Sequence, residues 1–193
     1  MIAKEILAIV AIILTCIGFL PYIRSILLGT IKPHVISWVI WGSVTVFVFF
    51  AQVSDGGGAG AWPIGFTGVI SILVAFIAYF KTSVIHIDKL DWFFLLLALS
   101  SLPLWSYTSN PLWAVVILTT SEVLGFIPTI RKAYIRPFEE SLLFFIIFSM
   151  RNTVSILALE NYTLTTLLFP VTTTIACLTL IIIVISRRSV AHR

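Results

Sequence analysis

The sequence predicts an all-α membrane protein in which seven transmembrane helices form two parallel three-helix-bundle repeats joined by a linker helix. Three observations predict this fold: an apolar composition, seven apolar runs and an internal repeat. Of the 193 residues, 60% are hydrophobic and only 10% are charged, whereas soluble domains contain roughly 45–50% apolar and 25% charged residues. This composition excludes a soluble enzyme, a nucleic-acid-binding protein and a disordered chain.

The apolar runs have about the length that a helix needs to cross a bilayer, which is roughly 20 residues. The first run continues through Pro21 to Leu28, which is too long for the apolar core of a cleaved signal peptide. We therefore interpret it as the first span. The predicted spans are 5–28, 35–53, 62–80, 91–108, 111–130, 141–159 and 163–186.

The positions of the basic residues predict the orientation. Ten of the 12 Lys and Arg residues lie in the odd-numbered loops or the C-terminal tail, and the even-numbered loops contain none. Because cytoplasmic loops carry an excess of Lys and Arg, the N-terminus is predicted outside and the C-terminus in the cytoplasm. The expected location is the plasma (inner) membrane.

Loop and cysteine patterns predict no further chemistry. The second loop, 54–61, contains the glycine-rich stretch Asp55–Gly60, which is typical of a flexible linker on the outer side. Cys16 and Cys177 fall inside apolar runs, which favours buried thiols over a disulfide framework. No His or Cys spacing indicates a metal site, and no pattern indicates a cofactor.

An internal repeat divides the chain. The segment Gly18–Arg24, GFLPYIR, recurs as Gly125–Arg131, GFIPTIR, and the same offset pairs Pro63 with Pro170. Prolines thus fall in register in two separate spans of each half. These matches predict two copies of one three-helix unit.

The repeat sets the predicted domain boundaries. Residues 1–84 form the first three-helix repeat, 85–110 the linker helix and 111–193 the second repeat. A single connecting helix makes the repeats parallel, related by an axis along the membrane normal. In such proteins the substrate site lies near the bilayer midplane at the repeat interface.

This layout resembles the PQ-loop superfamily, which includes SWEET sugar transporters, lysosomal amino-acid exporters and bacterial Pnu vitamin-uptake transporters. The resemblance covers nearly the whole chain through the 3+1+3 arrangement, the outside N-terminus and a proline late in the first helix of each repeat, here Pro21 and Pro128. The Pro-Gln dipeptide of the family is replaced by Pro-Tyr and Pro-Thr. The resemblance implies a transporter in which these prolines let the cytoplasmic halves of the helices move.

Each of these prolines follows a glycine by three residues, Gly18 before Pro21 and Gly125 before Pro128. A proline removes a backbone donor and loosens the preceding turn, so the pair is suited to a hinge. A static kink that improves packing is the alternative.

Two ionisable residues are predicted near the middle of the bilayer. Glu122 lies well inside the fifth span and Arg151 well inside the sixth, and because these spans run in opposite directions both side chains reach a similar depth. Ionisable groups at this depth are costly and usually face a cavity or the bundle interior. The pair predicts a solute or proton site, in which Glu122 binds a cation or carries a proton and Arg151 holds a carboxylate or acts as a counter-ion. A permanent structural ion pair is the alternative.

Polar and aromatic side chains on two further faces are candidates for contact with a solute. Trp38, Trp41 and Thr45 share one face of the second span, and Phe148 and Asn152 share the matching face of the sixth. Aromatic planes with a hydroxyl or amide one turn away can stack a flat ring and bond its edge. Pnu-type transporters are similar in using tryptophans and an asparagine, while ordinary packing or an interfacial belt is the alternative.

The leading hypothesis is a membrane transporter, a facilitator or proton-coupled, that moves a sugar, a vitamin or nucleoside, or an amino acid by alternating access. An enzyme is not expected, since Glu122 and Arg151 are the only deep ionisable residues. A retinal photoreceptor would need a lysine midway along 163–186, which contains none. A receptor or cargo-binding protein without flux is the alternative. The expected partners are the solute and the bilayer, with no nucleic acid and with a homo-oligomer left open.

Overall fold

The computed structural model describes residues 2–29, 35–81, 89–135, 137–139 and 141–191, which form helices and short connections without a strand. Seven α-helices follow one another along these residues, with two short 3₁₀ helices, Gly58–Ala61 and Pro137–Glu139, in the connections. The all-helical prediction is confirmed. The α-helices are α1 Ile2–Leu27, α2 Val35–Ser54, α3 Trp62–Lys81, α4 Lys89–Thr108, α5 Pro111–Ile135, α6 Leu142–Ala158 and α7 Leu164–Ala191.

Length and hydropathy make several of these helices suitable for a membrane. Among the described residues, three helical stretches are long and apolar enough to cross one: Ile2–Leu27, Gly58–Lys81 and Leu164–Val190. Three shorter helical stretches are also apolar: Trp38–Ser54, Pro111–Leu124 and Leu142–Ala158. These findings support a membrane protein, and crossing by the other four predicted spans stays a prediction.

Local sequence signals account for several helix ends. Gly29 follows α1 with a φ of 73°, a left-handed conformation that glycine adopts without strain. Before α5, the Asn110 side-chain oxygen accepts from Leu112 N at 2.9 Å, and Pro111 begins the helix where no backbone donor is needed. Ser141 caps α6 by accepting from Phe144 N at 3.3 Å.

The helices pack in a regular pattern. Helix α3 lies against both α1 and α2, and α7 lies against both α5 and α6. Between these two groups, α1 packs against α6 and α2 against α5, while α4 packs against α5 and α2. The largest buried cluster joins α2 to α5 and the neighbouring helices through Ile40, Val44, Val48, Ala51, Ile64, Val115, Leu118 and Phe169.

The glycine-rich loop is not the flexible linker that its composition predicts. Gly58–Ala61 forms a 3₁₀ helix, and Gly60 and Ala61 are buried. A Cβ atom on Gly60 would lie 2.4 Å from Leu159 N, so the missing side chain allows two backbone segments to touch. The linker prediction is therefore wrong, because the glycines serve close packing rather than freedom of movement.

The cysteines agree in part with the sequence. Both are free, Cys177 is buried and Cys16 is only half-buried. The buried-thiol prediction is thus confirmed for Cys177.

Candidate solute-binding site

Two adjacent residues of α6 carry the most unusual polar groups of the described chain. Arg151 is 2% exposed and Asn152 is 0% exposed. Consecutive helical residues point in directions about 100° apart, and both can be buried here because α6 packs between α1 and α7. The neighbouring apolar residues of the sequence form α6, and the packing of α1 and α7 against α6 encloses Arg151 and Asn152.

These two side chains have unused hydrogen-bonding capacity. Nε and Nη1 of Arg151, and both Oδ1 and Nδ2 of Asn152, are buried without a hydrogen-bond partner in the protein. Each such orphaned group costs about 1–3 kcal/mol, and more when it is charged. Buried polar groups are normally satisfied, so these four atoms mark a place where the fold gives up stability.

Glu122 lies on α5, and α5 and α6 both pack against α7. Its Oε2 is likewise buried without a hydrogen-bond partner. The charges of Glu122 and Arg151 are near enough to attract each other, and Cys177 of α7 lies in the same surroundings. Oε2 of Glu122 and Nε and Nη1 of Arg151 nevertheless have no hydrogen-bond partner in the protein.

An aromatic surface adjoins the arginine. The Cζ of Arg151 lies 5.0 Å from the centre of the Phe148 ring, a cation–π geometry. The Phe148 ring also stacks on Phe144 at 4.5 Å and contacts Phe19 of α1 at 5.6 Å. Phe148 thereby joins the polar pair to the contact between α1 and α6.

The structure places the predicted residues of α2 differently from those of α6. Trp38 is half-buried, with its ring 6.0 Å from Phe19 and 5.2 Å from Tyr22. Trp41 is 37% exposed, and its ring contacts Trp38 at 5.5 Å. Thr45 is buried, and its hydroxyl donates to the carbonyl of Trp41 at 2.8 Å. No contact of Trp41 with Arg151 or Asn152 is described, and contact of Trp41 with a solute stays a prediction.

The predicted hinge lies beside the site. A Cβ atom on Gly18 would lie 3.5 Å from Ile147 and 3.7 Å from Phe148, so α1 meets α6 at this glycine. Helix α1 continues through Pro21 to Leu27, and Pro21 is exposed. Helix α5 likewise continues past 128, and the surroundings of Gly125 and the side chain of Pro128 lie outside what the structure describes. Hinge motion stays a prediction.

Sequence reasoning missed two polar residues of the interior. Thr119 precedes Glu122 by one turn of α5, and its buried hydroxyl has no partner, although Thr120 and Ser121 bond to their own helix at 2.7 and 3.0 Å. Spacing by three residues from Glu122 was the signal that could have found it. Gln52, the only glutamine of the chain, is 0% exposed and leaves its side-chain oxygen without a partner.

The loops that are predicted to lie outside interlock above this region. Ser155 Oγ donates to the carbonyl of Gly60 at 2.7 Å, and Glu160 N donates to the carbonyl of Gly57 at 3.1 Å. The hydroxyl of Thr163 donates to the Asp55 carboxylate. The connection after α2 is therefore held against the connection after α6 by backbone and side-chain bonds.

A threonine series on α7 is accounted for by its own helix. Thr173 and Thr174 donate to the carbonyls four residues earlier, at 2.8 and 2.7 Å. Hydroxyls that bond in this way satisfy themselves in an apolar setting. Among the described residues, no group of three or more His, Cys, Asp or Glu side chains could hold a metal ion.

Comparison with models of known protein families, with curated proteins and with solved structures finds no match to this chain.

Proposed function

We propose that this chain is a membrane transporter that moves a small polar solute by alternating access, with the solute bound between α5 and α6 at Glu122, Arg151 and Asn152. The observation that carries the proposal is the set of buried donors and acceptors without partners on these three residues. A fold that only needed packing would gain stability by replacing such groups with apolar ones. Their presence inside an apolar helix bundle is expected where a solute completes the hydrogen bonds.

The pattern of helix contacts supports two related halves. Under the sequence repeat, α1 corresponds to α5 and α2 to α6. The contact of α1 with α6 then becomes the contact of α5 with α2, and both contacts are made. Exchange of equivalent contacts is what an axis along the membrane normal produces, and it is the arrangement in which two halves can rock about a central site.

The hydrogen bonds between the connections after α2 and α6 support a state in which the site is closed on that side of the membrane. Bonds between 55–60 and 155–163 join equivalent connections of the two halves. A transporter in alternating access needs such a contact to form on one side and to break when the site opens there. We therefore propose that these loops are the outer gate.

The direct test is solute flux into proteoliposomes that contain the purified protein. Radiolabelled sugars, amino acids, nucleosides and vitamins are supplied outside, and uptake is compared with protein-free vesicles. Saturable uptake of one class supports the transporter. Saturable binding with no flux of that solute contradicts it and favours the receptor that the same scaffold can provide.

Locking the outer gate is expected to stop uptake. Asp55 and Thr163 are in direct hydrogen-bond contact across the two loops, so cysteines at both positions can be joined by oxidation or by a short thiol-specific cross-linker. Uptake by the cross-linked Asp55→Cys, Thr163→Cys variant should fall to the background of protein-free vesicles and return on reduction. Each single variant is the control, and undiminished uptake in the cross-linked state would show that the loops need not part.

Replacing Pro21 with alanine is expected to slow uptake while the fold remains stable. Alanine restores the missing backbone donor inside α1 and favours a straight helix by up to about 3 kcal/mol. Initial rates of uptake and thermal unfolding are measured together. The matched control is Pro103→Ala, an exposed proline inside α4, which should leave the rate unchanged; equal rates for all variants would assign Pro21 to packing alone.

A further inference from the structure

The proposed function leaves the solute class open, and the chemistry of the buried groups narrows it. Arg151 offers donors only, since a guanidinium has five N–H groups and no acceptor. Its Nε and Nη1 donate to nothing in the protein. A planar cation with free donors is the group that proteins use for carboxylates, whose two oxygens match the edge of the fork.

The surroundings of the guanidinium favour such an anion. Phe148 lies on one side of Arg151, 5.0 Å from Cζ to the ring centre, and an aromatic ring leaves the N–H edges free. Asn152 adds one donor and one acceptor without partners on the next residue. A carboxylate on Arg151 therefore has a neighbouring amide that can bond a second polar group of the same molecule.

Charge neutrality adds a condition. Ionised Glu122 and Arg151 sum to zero before the solute enters, and a carboxylate would leave the region with one uncompensated negative charge in an apolar interior, which is costly. A proton on Glu122 removes both this charge and the repulsion between the two carboxylates. The site then has the same net charge with and without solute.

Among the described groups, no other charge near Glu122 can neutralise the carboxylate of the solute. On α7, the facing titratable group is Cys177, while Arg187 and Arg188 lie in the last turns. Helix α2 carries no ionisable side chain, and α4 has Lys89 and Asp91 in its first turn and Tyr107 in its last. Arg151 of α6 is the partner already counted.

We propose that the solute is a small carboxylate, that Arg151 binds its carboxyl group with Asn152 as the second contact, and that it crosses with one proton carried by Glu122. This inference rests on the proposed function. One bond forms and breaks in this cycle, the O–H bond of the Glu122 carboxyl group: Glu122 takes up a proton from one side, the carboxylate binds Arg151, and the proton and the carboxylate leave on the other side, so that no net charge moves.

Binding is tested with carboxylates and their uncharged amides. Acetate, lactate, nicotinate and benzoate are each compared with acetamide, lactamide, nicotinamide and benzamide by thermal shift of the purified protein. At least one carboxylate should stabilise the wild type, and its amide should bind about 10- to 100-fold more weakly, the value of a lost charged hydrogen bond. Stabilisation by no carboxylate, or equal stabilisation by acid and amide, overturns the inference.

Variants separate the site from a general effect. Arg151→Gln should remove the preference for the carboxylate over its amide, and Arg151→Lys should restore part of it. Arg24→Gln, an exposed arginine at the end of α1, is the matched control and should keep the full preference. Should Arg151→Gln fail to fold, Arg151→Gln with Glu122→Gln leaves no unpaired charge and tests the same preference; a preference that survives in it contradicts a carboxylate contact.

Proton coupling is tested in vesicles that enclose a pH-sensitive dye. Addition of the bound carboxylate should acidify the lumen faster than in protein-free vesicles, without a current, and an inward proton gradient should accelerate uptake. Glu122→Gln should bind the carboxylate but lose this acceleration, and Cys177→Ser should keep it. Acceleration that persists in Glu122→Gln would exclude Glu122 as the proton carrier. Carboxylate binding without any flux would contradict the transporter while the carboxylate site stands.

Discussion

Leucine in place of Asn152 is expected to abolish uptake and, at the same time, to stabilise the folded protein. Asn152 is 0% exposed, and neither atom of its amide has a hydrogen-bond partner in the protein. Leucine has the same branching and the same number of side-chain heavy atoms as asparagine but no polar group, so the substitution removes orphaned groups that cost about 1–3 kcal/mol each. The same change deletes the donor and acceptor that we assign to the solute.

Two measurements on one preparation check this prediction: uptake into proteoliposomes and thermal unfolding in detergent. The matched control is Thr153→Val on the next position of α6, because Thr153 already bonds to the carbonyl of Ser149 at 2.9 Å within its own helix. That variant should change neither measurement greatly. A lower unfolding temperature for Asn152→Leu would mean that the amide holds the fold together and would contradict our assignment.

Alanine in place of Gly60 is expected to force the connections after α2 and α6 apart. A Cβ atom there would lie 2.4 Å from Leu159 N and 2.7 Å from Leu159 Cα, and backbone atoms cannot rotate away as a flexible side chain would. The overpacking costs about 1–3 kcal/mol. It also displaces the Gly60 carbonyl that accepts from Ser155, so the loss of stability should lie at the upper end of that range.

The control for Gly60→Ala is the same substitution at another buried glycine. At Gly18 the nearest atom to a new Cβ lies at 3.5 Å, an ordinary contact, so Gly18→Ala should not destabilise the protein and should gain up to about 1 kcal/mol from the better helix propensity of alanine. Thermal unfolding compares the two variants. A cysteine introduced at Asp55 should also react faster with a membrane-impermeant thiol reagent in Gly60→Ala; equal unfolding temperatures and equal labelling would show that the loops do not interlock.

The helices followed closely from the apolar runs, because a segment in an apolar setting must satisfy its backbone internally and helix is the local way to do so. The structure moves most ends by only a few residues. The main differences are at the C-terminal ends of the fifth and seventh predicted spans, where α5 reaches Ile135 and α7 reaches Ala191 instead of stopping at 130 and 186. Basic residues end an apolar run without ending a helix, since Lys and Arg are good helix formers.

The sequence predicts a site residue where one polar side chain interrupts an apolar span. It does not predict one where the role of the side chain depends on which neighbouring helix it contacts. Glu122, Arg151 and Asn152 could be selected because polar groups inside an apolar span are rare and must face the interior. Thr45 and Thr119 are both threonines in apolar helices, yet Thr45 bonds to its own helix while Thr119 has no partner. Whether a threonine hydroxyl bonds to its own helix depends on its side-chain rotamer, and that rotamer depends on the packing of the neighbouring helices.

By itself, the sequence determined that this chain is helical, apolar enough for a membrane and internally repeated, because composition, run length and repeat register are properties of the chain alone. Only the tertiary structure decided which helices touch, that Asp55–Gly60 packs tightly instead of acting as a linker, and that polar atoms of Glu122, Arg151 and Asn152 are buried without a hydrogen-bond partner. These outcomes depend on distances between residues far apart in the chain, and a glycine or an arginine reads the same in the sequence whether or not another segment packs against it.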